Sequence, residues 1–95
     1  MLILASSTEY LYIPVTGAGD LSAFPAGIAL ILEGSGTEPA PADYRAATWS
    51  GGEAAVLVTA GDYPEGQYLA FVRVQAAPED VRLYAGRVRI GDARL

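Results

Sequence analysis

The feature that most constrains this chain is a period-two alternation of apolar residues in GDYPEGQYLAFVRV, residues 61–74. Its two faces are Tyr68, Ala70, Val72 and Val74 on one side, and Leu69, Phe71 and Arg73 on the other. Such alternation is typical of a β-strand that buries one face. Glycine and proline in the residues before it predict a turn. The segment is therefore expected to be a turn followed by a central strand.

The same rhythm recurs in short segments along the rest of the chain. These segments are TEYLYIPV, IALILE, YRAATWS, EAAVLVTA and VRLYAGRVRI. Turn-forming stretches separate them, among them GDLSAFPAG, GSGTEPAPAD, the pair GG and QAAPED. Roughly six or seven strands at intervals of roughly ten residues predict an all-β fold, a small antiparallel sandwich or barrel. A helix over PADYRAATW, capped by Asp43, is the alternative for that one segment.

The entry to the central strand favours the sandwich over the barrel. Gly66 precedes Tyr68 by two positions at the start of the strand. In a tyrosine corner, a residue so placed buries its ring and returns its hydroxyl to the preceding backbone. We therefore expect Tyr68 to form such a corner, with Trp49 in the core opposite its strand.

Length and composition exclude several classes of protein. A chain of 95 residues is expected to fold as one domain, residues 1–95, around one core. It contains no cysteine and no histidine, which removes disulfides, thiolate sites and the commonest general base and metal ligand. Its serines have no histidine or lysine to activate them, and neither Asp62 with Glu65 nor Glu38 with Asp43 supplies enough oxygens for calcium. We expect no enzyme, no catalytic residues, no cofactor and no metal.

The N-terminal segment MLILASS is too short to span a bilayer and has no basic residue ahead of its apolar run. We therefore expect it to be part of the mature protein, without a membrane role.

Charge is unevenly distributed along the chain. Residues 1–66 carry eight acids against Arg45 alone, a balance of −7, whereas residues 67–95 carry five arginines against three acids, a balance of +2. An acidic protein without lysine is a poor partner for nucleic acid, because phosphate neutralisation supplies most non-specific affinity. We expect no nucleic-acid binding.

A candidate protein interface lies in the arginine-bearing C-terminal third. If Tyr68 and Val88 both point inward, a hairpin of the last two strands places Phe71, Arg73, Arg87 and Arg89 on one outward face. By the same alternation, Tyr84 shares the inward parity of Val88. Arginine suits protein contacts because its guanidinium pairs bidentately with carboxylates.

Several motifs in the second half of the chain resemble a known family. They are YRAATW followed by AAVLV, then EGQYLAFVRV, APEDVRLYAG and RVRI. In this order they resemble the small immunoglobulin-like structural proteins of tailed bacteriophages, over about residues 44–90. A tryptophan strand, a Gly-x-Tyr strand ending in Val-Arg-Val, a turn at Pro78 and Glu79, and Gly86 in the last strand carry the resemblance. The first forty or so residues match only in strand rhythm.

The resemblance implies an immunoglobulin-like sandwich and a virion component without enzymatic activity. It implies a capsid decoration protein or a part of the head-to-tail junction, located on the capsid exterior or at the neck. The implied partners are the major capsid or neck proteins, and the sequence leaves open whether the protein also forms a homo-oligomer.

A carbohydrate-binding module is the alternative that the residues themselves leave open. Aromatic rings stack on the C–H faces of sugars, and Trp49, Tyr63, Tyr10 and Tyr12 are the candidates for such a platform.

Overall fold

The computed structural model describes residues 2–4, 6–15, 23–34, 38–76 and 79–91. Within these ranges the chain forms seven strands and a short 3₁₀ turn, Pro41–Asp43. The strands are β1 (Leu2–Leu4), β2 (Glu9–Pro14), β3 (Ala26–Leu32), β4 (Arg45–Ser50), β5 (Glu53–Val58), β6 (Gly66–Ala76) and β7 (Glu79–Gly91). The predicted all-β class is confirmed.

The strands form two facing layers joined through β4. Their order is β1-β7-β6-β3-β4-β5-β2, and every neighbouring pair is antiparallel except β1 with β7. The first half of β4 pairs with β3, and its second half, Thr48–Ser50, pairs with β5. One layer is therefore β1-β7-β6-β3 and the other is β4-β5-β2. This order corresponds to that of immunoglobulin-like sandwiches, with the parallel β1 added at one edge.

The core lies between the inner faces of the two layers. It takes alternate residues from β2, β3, β5 and β6, the pattern of strands that face a core on one side, and Ala47 and Trp49 of β4 pack against it while only partly buried. The predicted inward face of β6 is confirmed, because Tyr68, Ala70, Val72 and Val74 are all buried. From the opposite layer, Leu11 and Ile13 of β2 and the alternating residues of β5 complete the core.

The turn before β6 forms the predicted tyrosine corner. The Tyr68 hydroxyl donates to the Pro64 carbonyl over 2.7 Å, and its ring meets that of Tyr63 edge-on at 5.5 Å. The Asp62 carboxylate closes the start of the turn by accepting from the Thr59 amide at 2.9 Å and from Arg45 at 3.0 Å. Backbone and side-chain bonds therefore fix the direction in which β6 enters the sheet.

The sequence leaves a strand and a helix open for the segment PADYRAATW, residues 41–49. The structure has strand β4 there, and the predicted helix is wrong. The chain makes only the 3₁₀ turn, in which the Asp43 carboxylate accepts from the Ala40 amide at 2.9 Å, and β4 then begins at Arg45. Pairing with both β3 and β5 stabilises the extended form and outweighs the local capping signal. The two-glycine hairpin between β4 and β5 is confirmed, with Gly51 at φ +62°.

A β-bulge overturns one predicted side-chain orientation. On β7, Gly86 pairs with Ala70 and Tyr84 pairs with Phe71, so Ala85 has no partner on β6. The extra residue reverses the inward–outward alternation between Gly86 and Tyr84. The placement of Tyr84 on the inward face with Val88 is therefore wrong, and its side chain is 57% exposed. Gly86 accommodates the bulge with φ +126°, which L side chains rarely adopt.

Replacing Tyr68 with phenylalanine tests the corner. The substitution Tyr68→Phe keeps the buried ring but leaves the Pro64 carbonyl without its donor. We expect a loss of about 1–2 kcal/mol in the free energy of unfolding, measured by urea denaturation with circular-dichroism detection. The matched control Tyr12→Phe, on an exposed ring, is expected to change stability by less than about 0.5 kcal/mol. Equal effects of the two substitutions would contradict a structural role for the corner.

Candidate protein-binding face

The four predicted interface residues share one face of the molecule. Antiparallel pairing sets Leu69 opposite Arg87, Gln67 opposite Arg89, Phe71 opposite Tyr84 and Arg73 opposite Arg82. Residues directly opposite each other project from the same side of a sheet. Phe71, Arg73, Arg87 and Arg89 therefore all lie on the outer side of the β3-β6-β7 layer. We call this surface the arginine face.

The arginine face has two ends rather than one cluster. Gln67, the neighbour of Arg89, lies six residues from Arg73 along β6. At the rise of a strand, this separates the two arginines by about 20 Å. Phe71 lies between them, so the four residues form a row across the face and do not meet at a single point.

The Arg73 end is closed by internal ion pairs. Arg73 donates to both carboxylate oxygens of Asp80, Nε to Oδ1 at 2.9 Å and Nη2 to Oδ2 at 3.0 Å, and its side chain is 21% exposed. Arg82 also donates to Asp80, at 3.2 Å, and to Glu38 at 3.3 Å. These bonds lower the pKa of the Asp80 carboxyl, with the Arg73 hydrogen bonds as the largest cause. Arg73 therefore serves first to tie the β6–β7 hairpin together.

Tyr44 underlies this closed end. Its ring lies about equally far from the guanidinium carbons of Arg73 and Arg82, at 5.9 and 6.0 Å. Gly27 lies close beneath it, since a Cβ at that position would approach the Tyr44 Cβ to 3.3 Å. The Tyr44 hydroxyl oxygen is buried and has no hydrogen-bond partner among the described residues. Burial raises the pKa of this phenol, an effect that Arg82 partly offsets.

The other end of the arginine face is open. Arg87 reaches across β6 to the Glu33 carboxylate at 3.0 Å, yet its side chain remains 63% exposed. Arg89 is exposed, and within the described ranges no ion pair is seen for it. Leu2 of β1 lies directly beside Arg89 and is also exposed. A basic and apolar surface is therefore presented to solvent here.

Two aromatic rings occupy the middle of the face. The centroids of Phe71 and Tyr84 lie 5.5 Å apart with the ring planes tilted by 59°. Tyr84 belongs to the candidate interface, although simple alternation assigned it to the core. The signal that could have placed it is Gly86, since an isolated glycine within a strand pattern often marks a bulge.

The four aromatic residues of the sugar-binding alternative do not share a face. Tyr10 and Tyr12 lie on the outer side of β2, half exposed, with centroids 6.0 Å apart. Trp49 is opposite the fully buried Ala54, packs partly against the core and donates its indole N–H to the Phe24 carbonyl at 2.8 Å. Tyr63 packs against Tyr68 beneath the Arg45 guanidinium. Only the Tyr10–Tyr12 pair is arranged as an exposed platform.

The part of the chain that the structure describes holds no group of three or more acidic side chains placed to bind a metal ion. It also holds no helix with the length and apolar character required to cross a bilayer.

Comparisons with known proteins find no counterpart. No protein-family model matches the chain, and no curated protein and no solved structure shows significant similarity to it. The phage-protein resemblance of residues 44–90 therefore stays a prediction.

The Asp80 ion pairs generate a pH-dependent prediction. Because the folded-state pKa of Asp80 is lowered, its contribution to stability is present above the ordinary carboxyl pKa and is lost as pH falls below about 4. Replacing Arg73 with glutamine removes the largest cause of the shift. We expect Arg73→Gln to weaken the acid dependence of unfolding, measured by urea denaturation from about pH 7 to pH 2. Arg89→Gln is the control, and an unchanged slope in Arg73→Gln would contradict the assignment.

Proposed function

We propose that this protein is a non-enzymatic structural component of a tailed-bacteriophage virion that attaches to a protein shell in many copies. Its partners are the major capsid or neck proteins, and it resides on the capsid exterior or at the neck. The predicted resemblance of residues 44–90 to phage immunoglobulin-like proteins supports the proposal. Modest contacts repeated over a lattice give strong attachment without a large interface on each copy.

The observation that carries the proposal is the composition of the arginine face. Its centre presents the Phe71–Tyr84 ring pair, and its open end presents Arg87 and Arg89 beside Leu2. Aromatic residues and arginine are enriched at the centres of protein interfaces, whereas lysine and acids are depleted. Arg73 has a structural role instead, since its hydrogen bonds to Asp80 stabilise the β6–β7 hairpin that carries Phe71 and Tyr84.

Charge reversal at the open end tests the proposal. The double variant Arg87→Glu with Arg89→Glu is expected to reduce incorporation into particles severalfold, because the face then repels the carboxylates it would bind. Its melting temperature should change little, since both side chains are exposed. Incorporation is measured by gel densitometry of purified particles assembled with each variant.

The control places the same substituent on the opposite face. Thr48 and Leu57 are exposed on the outer side of β4 and β5, so Thr48→Glu with Leu57→Glu adds two carboxylates away from the arginine face. Normal incorporation of this control with loss of the Arg87 and Arg89 variant supports the proposal. Full incorporation of the arginine variant would overturn it.

Copy number distinguishes the two virion positions. A coat on a capsid lattice would supply on the order of hundreds of copies per particle, whereas a ring at the neck would supply about a dozen. The same densitometry of particles provides this ratio.

A carbohydrate-binding module is the second candidate, and the exposed pair Tyr10 and Tyr12 favours it. Their rings are 50% and 47% exposed, on the opposite side of the sandwich from the arginine face. Such a module would bind sugar through this pair without Trp49, and it would be absent from purified particles.

A further inference from the structure

The last strand has a long edge that no described strand covers. β1 pairs with β7 only at Arg89, Ile90 and Gly91, while β7 begins at Glu79. Over residues 80–88, β7 pairs with β6 on one side, and no other strand in the described ranges pairs on its second side. The side chains of Leu83 and Tyr84 on this stretch are exposed. An uncovered edge presents backbone N–H and C=O groups that can pair with another strand.

A depression opens beside this edge at the bulge. It has a volume of about 110 Å³ and lies between β2 and β7, with Ile13, Pro14, Ala85, Gly86 and Val88 among its lining residues. A space of this size in a mainly apolar setting can hold a small hydrocarbon group. Because β1 pairs with β7 only at residues 89–91, the apolar depression lies beside a part of the β7 edge that no described strand covers.

We propose that residues 80–88 of β7 form an acceptor edge for an extended segment of a partner protein, one that alternates acidic and aliphatic residues. The segment pairs with the β7 backbone as an added strand, and one aliphatic side chain enters the depression beside Gly86. In recognition by strand addition, main-chain bonds give affinity and pockets for alternate side chains give specificity. This proposal goes beyond the virion role and does not depend on it.

Charge selects the acidic partner. β7 carries Arg82, Arg87 and Arg89 and has no acidic residue after Asp80, although the whole chain has a net charge of −5. Arg82 is paired within the protein with Asp80 and Glu38, whereas the Arg87 side chain remains 63% exposed on the same side of the strand as the exposed Arg89. An incoming acidic strand is therefore attracted to Arg87 and Arg89. The bulge and the charges also protect the edge from unselective pairing.

The test uses the full chain and fluorescein-labelled model peptides of about nine residues, long enough to cover residues 80–88. The probe alternates glutamate with valine. One control alternates lysine with valine, and another is the glutamate–valine peptide with alternate backbone nitrogens methylated. We expect fluorescence anisotropy to show that the glutamate–valine probe binds the protein and that neither control peptide does. We also expect hydrogen exchange, followed by NMR, to slow at alternate amides of residues 80–88.

A matched pair of variants tests the depression. Ala85 and Ala60 are both exposed, but only Ala85 lines the depression. The substitution Ala85→Leu fills the depression and is expected to weaken binding of the probe at least about tenfold. The substitution Ala60→Leu is expected to leave binding of the probe unchanged. Melting temperatures of both variants verify that they are folded.

Any of the following outcomes would overturn the proposal. Absence of probe binding or of amide protection removes the acceptor edge. Equal binding of the lysine or the methylated peptide shows that charge or backbone pairing is not what selects the ligand, and unchanged binding by Ala85→Leu removes the depression. Protection of β7 amides that rises with protein concentration alone, together with a dimer in sedimentation, would assign the edge to a second copy instead.

Discussion

The hydrogen bond from the Tyr68 hydroxyl to the Pro64 carbonyl is the constraint on which the other features depend. It joins the turn to the first residues of β6, the strand that pairs with both β3 and β7. Because side chains alternate along a strand, fixing the entry of β6 decides which parity faces the core. Tyr68, Ala70, Val72 and Val74 are thereby buried, and Phe71 and Arg73 face outward.

Both candidate interaction surfaces follow from the pairing of β7 with this strand. The pairing arranges outward side chains in a row on the arginine face, whose Arg73 end is tied by Asp80 and whose Arg87 end remains exposed. It also leaves most of the far edge of β7 uncovered by any described strand. A partner would contact the arginine face through side chains and the β7 edge through backbone hydrogen bonds. One strand can therefore contribute to two distinct contacts.

The sequence predicted most of the strands because their alternation is a local property. It also predicted the tyrosine corner, whose residues are four positions apart, and the two-glycine hairpin. The orientation of Tyr84 could not be read from alternation, since one extra residue at Ala85 reverses the parity and only Gly86 signals it. Nor could the bonds of Arg73 with Asp80 be predicted, because they depend on the register of the β6–β7 hairpin.

The most direct measurement of the central claim is an NMR titration of the Tyr68 phenol in protein with ¹³C-labelled tyrosine. Burial raises the pKa of Tyr68 above the ordinary tyrosine value of about 10. Because the raised pKa belongs to the folded state, its contribution to stability is complete below the ordinary pKa and is lost as pH rises through the folded-state pKa. The account predicts that Tyr68 ionises above the ordinary tyrosine value of about pH 10. Ionisation at the ordinary value in a protein that stays folded would contradict it.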